Sequence, residues 1–212
     1  MKLYLSSYRI PTVWEFGELL GRSFEEVNTA IIPNAKDYRV DREEKLTKLA
    51  EDLGDLGLKK TSILDLNKFA YPDDLRKGLR GYDLIYSAGG NVKDLLFAMK
   101  VIDFPQIIRE FLRNGGMYAG ESAGAVVAGT STEGFSGPED PPHVMKHYER
   151  GLGLVQGTII PHADNPDYAE RLPDLLAIHG DSSIVLNDNQ AFVMNNDTGR
   201  IVTAPAEVSN NT

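Results

Sequence analysis

Residues 117–129 read MYAGESAGAVVAG, and this stretch decides how the rest of the chain is read. It begins as an apolar β-type run, sets Ser122 between Gly120 and Gly124, and continues into a small-residue segment compatible with a helix. Gly120-Glu121-Ser122-Ala123-Gly124 matches G-x-S-x-G, in which glycines flank the serine because a sharp strand-to-helix turn leaves no room for a β-carbon. The string alone arises by chance in roughly one chain in ten, so its strand-turn-helix setting carries more weight than the letters. The competing reading is a serine that merely caps a buried helix.

Working outward, short β-type runs alternate with helix-type segments, the sequence sign of parallel βαβ units. The runs are 2–7 (KLYLSS), 29–34 (TAIIPN), 60–66 (KTSILDL), 82–90 (YDLIYSAGG) and 116–122 (GMYAGES). Between them, 42–56 places Leu46, Leu49, Leu53 and Leu56 on one helical stripe. Residues 105–113 form a helix opened by Pro105 and stopped by Asn114-Gly115-Gly116. A Gly-, Pro- and charge-rich segment at about 131–150 reads as an active-site loop or lid over the sheet. A β-type run at 153–163 and a helix near 166–178 follow, and IVLND with QAFVMNN predicts a terminal hairpin turning around Asn187 to Gln190. The expected fold is therefore α/β: one three-layer domain over 1–205, its mostly parallel central sheet flanked by helices, with a frayed tail at 206–212.

At 212 residues one hydrophobic core still accommodates the chain. Apolar residues at 42% and charged residues at 25% are ordinary globular usage, which argues against disorder or fibre. There is no cysteine, so disulfides, thiolate metal sites and a cysteine nucleophile are excluded, and covalent chemistry falls to Ser, Thr, Lys or a carboxylate. A net charge of -9 argues against a nucleic-acid partner. With neither a signal peptide nor an apolar run of membrane-spanning length, the expectation is a cytoplasmic protein without a membrane partner.

A serine hydroxyl is a weak nucleophile until a base takes its proton. Of four histidines, His162 follows the run TIIP and so stands at a strand end, on the edge where the elbow is expected. A turn histidine bonded to backbone is the alternative. His179, beside Gly180, reads as a helix C-terminal cap. His143 and His147 stand four apart, but Pro141 and Pro142 interrupt the approach and Val144 occupies the place of the H-E-x-x-H glutamate, so no metal is expected. The carboxylate that orients the base is sought between Ser122 and His162, where Asp140 and Glu139 are the candidates, against the alternative that both are surface acids among 31. Acyl transfer also needs backbone donors for the oxyanion. Ala123 N–H is one, and the glycine turn in SAGGNVKDLL (87–96), where Asn91 opens a helix, supplies the second. A phosphate-binding turn is the competing reading there, although G-x-G-x-x-G is incomplete and no Walker lysine follows.

Three ordered segments, YSAGGNVKDLL, GGMYAGESAGAVVAG and GTIIPHADN, make the chain resemble the dipeptidase E (peptidase E) family of serine peptidases, whose fold is similar to that of class I glutamine amidotransferases. The resemblance covers about residues 1–205. It implies a flavodoxin-like strand order, Ser122 as nucleophile, His162 as base, and Gly90 with Ala123 as oxyanion donors. Glutamine amidotransferases carry cysteine at the elbow; serine here fits a peptidase-like branch. Counting back from GLGLV, Asp140 falls where the family's acid is expected, with Glu139 as the alternative.

Relatives that act on peptides with N-terminal aspartate hold its carboxylate with an arginine from the region after the histidine. In this chain that region offers Arg171, surrounded in sequence by Asp164, Asp167, Glu170 and Asp174, together with Tyr168. Asn91, Tyr168 and Arg171 are the expected substrate-binding residues. The resemblance thus implies a cofactor-free serine hydrolase of small peptides acting through an acyl-enzyme, with a homodimer expected on base rate. Hydrolysis of another amide or ester, as in cyanophycinase-like relatives, and a non-catalytic binding protein that keeps the fold are the rivals.

Overall fold

The computed structural model describes residues 1–136, 149–196 and 198–205. Strands β1 (Lys2–Ser6), β2 (Asn28–Ile32), β3 (Lys60–Ile63), β4 (Leu84–Ser87) and β5 (Met117–Glu121) follow the predicted runs closely. They are followed by β6 (Thr158–Ile160), β7 (Ser183–Val185), β8 (Gln190–Asn195) and β9 (Thr198–Thr203). The main sheet has the order β3-β2-β4-β5-β1-β8-β9, parallel through the first five and antiparallel in β8 and β9. The part β3-β2-β4-β5 reproduces the 2-1-3-4 portion of a flavodoxin-like order, and the chain's own first strand takes the fifth place.

Side chains alternate across the strands and are buried on both faces, as a sheet covered on two sides requires. Leu3, Leu5, Ile85 and Tyr118 pack on one face against α4 (Val92–Val101) and α5 (Phe104–Arg113). Tyr4, Tyr86, Met117 and Ala119 pack on the other against α1 (Val13–Leu20) and α2 (Arg42–Asp55). The predicted stripe of α2 buries Leu46, Leu49 and Leu53, while Leu56 lies just past the helix end. The helix α5 ends at Asn114, where Gly115 takes a φ of 92°, a conformation glycine adopts without strain. Three further helices are α3 (Pro72–Gly78), α6 (Ala123–Val126) and α7 (Leu172–His179). No helix among the described residues is long and apolar enough to cross a membrane.

The terminal hairpin is displaced from its predicted position. It joins β8 to β9 through Asn196, which takes a φ of 55°. The run expected as its first arm is β7, which instead pairs in parallel with β6 in a separate two-stranded sheet. Two Asn/Asp clusters, 187–189 and 195–197, compete as turn signals, and the second is the one flanked by two six-residue strands. The expected 131–150 loop is anchored by a bridge between Ser131 and Arg150, and its residues 137–148 lie outside the described residues.

Candidate active site

Ser122 sits between β5 and α6 with φ 49° and ψ -112°, a strained backbone for a residue with a β-carbon. The neighbouring glycines show why the chain must turn here. A β-carbon on Gly120 would lie 2.4 Å from the Gly124 carbonyl oxygen, and one on Gly124 would lie 2.3 Å from the Ser87 carbonyl oxygen. The turn is tied down by Ser122 N–H donating to the Ser6 carbonyl at 3.0 Å and by Tyr118 O–H donating to the Gly124 carbonyl at 2.8 Å.

His162, 8% exposed, follows β6 with a φ of 62°. Its Nε2 lies 2.9 Å from Ser122 Oγ and its Nδ1 lies 2.5 Å from Asp188 Oδ1. A carboxylate only accepts, so the proton of a neutral imidazole sits on Nδ1 and Nε2 is left to accept from the serine hydroxyl. The register of the small sheet brings the pair together. Ile160 stands opposite Val185, and just beyond the strands Ala163 N–H donates to the Leu186 carbonyl at 3.0 Å.

The side chain facing Nδ1 is thus Asp188 rather than the expected Asp140 or Glu139. Those two lie outside the described residues, as do His143 and His147. Asp188 also accepts from Ser7 Oγ at 2.8 Å and from Asn165 Nδ2 at 3.1 Å. Burial works against its charge, but the hydrogen bonds from Ser7, His162 and Asn165 outweigh it and hold the carboxyl below its ordinary range. Ser7 Oγ in turn accepts the His162 backbone N–H at 2.7 Å, so one hydroxyl fixes both the backbone of the histidine and its carboxylate partner. The Tyr168 ring stacks on the imidazole, with centroids 4.6 Å apart.

Gly90 follows β4 with a φ of 146°, and a β-carbon there would lie 2.2 Å from the Ala35 carbonyl oxygen. Gly90, Ala123, Ser122 and His162 line one cleft of about 700 Å³. Among the described residues neither Gly90 N–H nor Ala123 N–H makes a hydrogen bond. Asn91 lines the same cleft, and its side-chain oxygen caps α4 by accepting from Lys93 and Asp94 N–H. Arg171 also lines the cleft, where its guanidinium donates to the Ser136 carbonyl at 2.5 Å. His179 does more than end a helix: its ring nitrogens lie 3.3 Å from Thr158 Oγ1 and 3.0 Å from the Glu133 carbonyl.

Sequence reasoning missed Asp188, Ser7 and Asn165. A signal for Asp188 was present: the two short β-type runs TII and SIV are each followed within a few residues by a polar side chain able to face the other. It becomes readable only once those runs are paired in parallel.

The sequence profile of Peptidase family S51 matches residues 11–202. An uncharacterised peptidase of Pasteurella multocida (strain Pm70) is 24% identical over 187 residues, 86% of each chain. Peptidase E of Shewanella sp. (strain ANA-3) is 31% identical over 102 residues, 48% of this chain and 42% of that protein. In fold, the chain superposes on a candidate peptidase E protein from Listeria monocytogenes EGD-e with a TM-score of 0.79 at 22% identity, covering 96% of this chain and 98% of the other. A peptidase from an acI-B1 Actinobacterium gives 0.70 at 20% identity, covering 95% and 87%. Matched by the family's profile over nearly its whole length, this chain belongs to Peptidase family S51 and is a peptidase-type hydrolase.

Proposed function

We propose that this peptidase is of the serine type and cleaves small peptides through an acyl-enzyme, with Ser122, His162 and Asp188 as its triad. The observation that carries the reading is the 2.9 Å contact between Ser122 Oγ and His162 Nε2, with Asp188 on the opposite ring nitrogen. Ser122 Oγ attacks the peptide carbonyl while its proton passes to His162 Nε2, and Asp188 stabilises the imidazolium so formed. The tetrahedral oxyanion is received by the N–H groups of Gly90 and Ala123. His162 then gives its proton to the departing amine, and a water activated by the same imidazole releases the acyl group.

The cleft supports short substrates with an apolar portion. Val126, Phe135, Leu172 and Leu175 line it beside the serine. Its two arginines are engaged within the chain, Arg171 with Ser136 and Arg39 with both oxygens of Asp41 at 2.7 and 2.9 Å. That arrangement does not favour a requirement for N-terminal aspartate. The contact between serine and histidine also supports catalysis over a binding protein that has kept only the fold.

The test is labelling by a small fluorophosphonate, followed by intact mass and peptide mapping. Wild type is expected to gain one adduct on Ser122, and Ser122→Ala and His162→Ala none. A folded wild type that stays unlabelled, or an adduct elsewhere, overturns the proposal.

A further inference from the structure

Behind the glycine turn lies a partly buried charged cluster that the reaction steps above do not use. Glu121, between Gly120 and Ser122 in sequence, ends β5 on the face that carries Met117 and Ala119 and is 5% exposed. Its oxygens accept from Arg9 Nη1 at 3.1 and 3.2 Å, from Tyr86 O–H at 2.8 Å and from Gly89 N–H at 3.1 Å. Arg9 is anchored from behind by Asp52 of α2 at 3.1 Å. A buried ion pair is weak evidence for stability, since desolvation offsets most of its attraction. Where its bonds are directed is more informative.

Together with Lys36 they fix two consecutive peptide units, Ala88–Gly89 and Gly89–Gly90. Glu121 holds Gly89 N–H, and Lys36 Nζ donates to the Gly89 carbonyl. That carbonyl shares a peptide plane with Gly90 N–H, and in a trans peptide the two point in opposite directions. Fixing the carbonyl toward Lys36 therefore fixes the direction of Gly90 N–H. Asn91 N–H, donating to the Ala35 carbonyl at 2.7 Å, holds the next peptide in place.

We propose that Lys36 and Glu121, the latter held by Arg9, are positioning residues that aim Gly90 N–H at the oxyanion of the reaction catalysed by Ser122. The role rests on the serine-peptidase reading and adds to it. An oxyanion donor is effective only when preorganised, and losing one costs about a hundredfold or more in rate. Tilting one costs part of that.

The experiment measures the rate constant of fluorophosphonate labelling against pH for wild type, Lys36→Met, Glu121→Gln and Glu121→Ala, with folding checked by thermal unfolding. In that reaction the Ser122 oxygen forms a bond to phosphorus, fluoride leaves, and the serine proton passes to His162. The phosphoryl oxygen occupies the oxyanion position. Lys36→Met is expected to lower the plateau rate by about tenfold to a hundredfold without moving the pH midpoint, because the histidine is untouched. Glu121→Gln keeps an acceptor for Gly89 N–H and is expected to lose less than Glu121→Ala.

A folded Lys36→Met that labels at the wild-type rate overturns the proposal. So does a shifted midpoint with an unchanged plateau, which would place the effect on His162. Because Lys36 is half-buried and methionine is of similar length, this variant keeps the test decisive if Glu121→Ala fails to fold. An unlabelled wild type instead brings down the serine-peptidase reading on which the role rests.

Discussion

The two halves of the site are built differently. The elbow serine and the glycine turn follow β5 and β4, neighbours in a seven-stranded sheet, and every residue of these two strands is buried. The histidine and its carboxylate stand on β6 and β7, three residues each, in a sheet of two strands, and the Asp188 side chain is 34% exposed. One half is held by steric necessity, the other by a few hydrogen bonds. Changes in the first half should therefore act through the backbone and lower stability, whereas changes in the second should act on rate with little loss of fold.

The largest effect on rate without loss of fold or of a reacting group is expected at Asp188. Asp188→Asn replaces the charged, acceptor-only carboxylate by an amide whose NH2 can face Nδ1, so the tautomer is no longer selected nor the imidazolium stabilised, and labelling should slow by about a thousandfold or more, while the unfolding temperature moves little. The pH dependence follows from the sign of its shift. The folded-state pKa is depressed, so the stabilising contribution is present above the unfolded value of about 3.9 and is lost as pH falls through the folded value. A fall in labelling rate between about pH 5 and 8, the range where histidine ordinarily titrates, does not then originate in Asp188. It should survive, at a lower plateau, in Asp188→Asn.

Gly124→Ala probes the other half. Its new β-carbon meets backbone at 2.3 Å, so the strand-to-helix turn must move at a cost of about 3 kcal/mol or more. A clear drop in thermal stability together with lost labelling is the expected pair of results, and an unchanged unfolding temperature would break the comparison. Ser7→Ala should give a smaller effect on both counts. It leaves the buried His162 N–H without its acceptor, at about 1 to 3 kcal/mol, and loosens Asp188, for about a tenfold slower labelling. If Ser7→Ala matches Asp188→Asn in rate, the hydroxyl does more than hold its neighbours.

The same contrast explains what could be read from the sequence. The elbow is contiguous: its glycines, serine and flanking strand lie within a dozen residues, and the reason for each is local sterics. The parallel strands were legible because each apolar run is bounded by turn residues and separated by a helix. Asp188 was not, since 31 acidic residues compete and only tertiary pairing of β6 with β7 selects one. The same pairing moved the hairpin, because a three-residue run such as SIV has no periodicity long enough to announce its partner. The ties of Glu121 were likewise hidden: a glutamate beside the elbow serine looks like any other acid until Arg9, Tyr86 and Gly89 are seen around it.

The central claim, that Asp188 is the carboxylate that makes Ser122 reactive through His162, is tested most directly by comparing labelling rates of wild type, Asp188→Asn and Asp140→Asn in one series. The account predicts that Asp140→Asn labels Ser122 as fast as wild type while Asp188→Asn falls by about a thousandfold or more. Normal labelling in Asp188→Asn with loss in Asp140→Asn would contradict it and return the role to the loop.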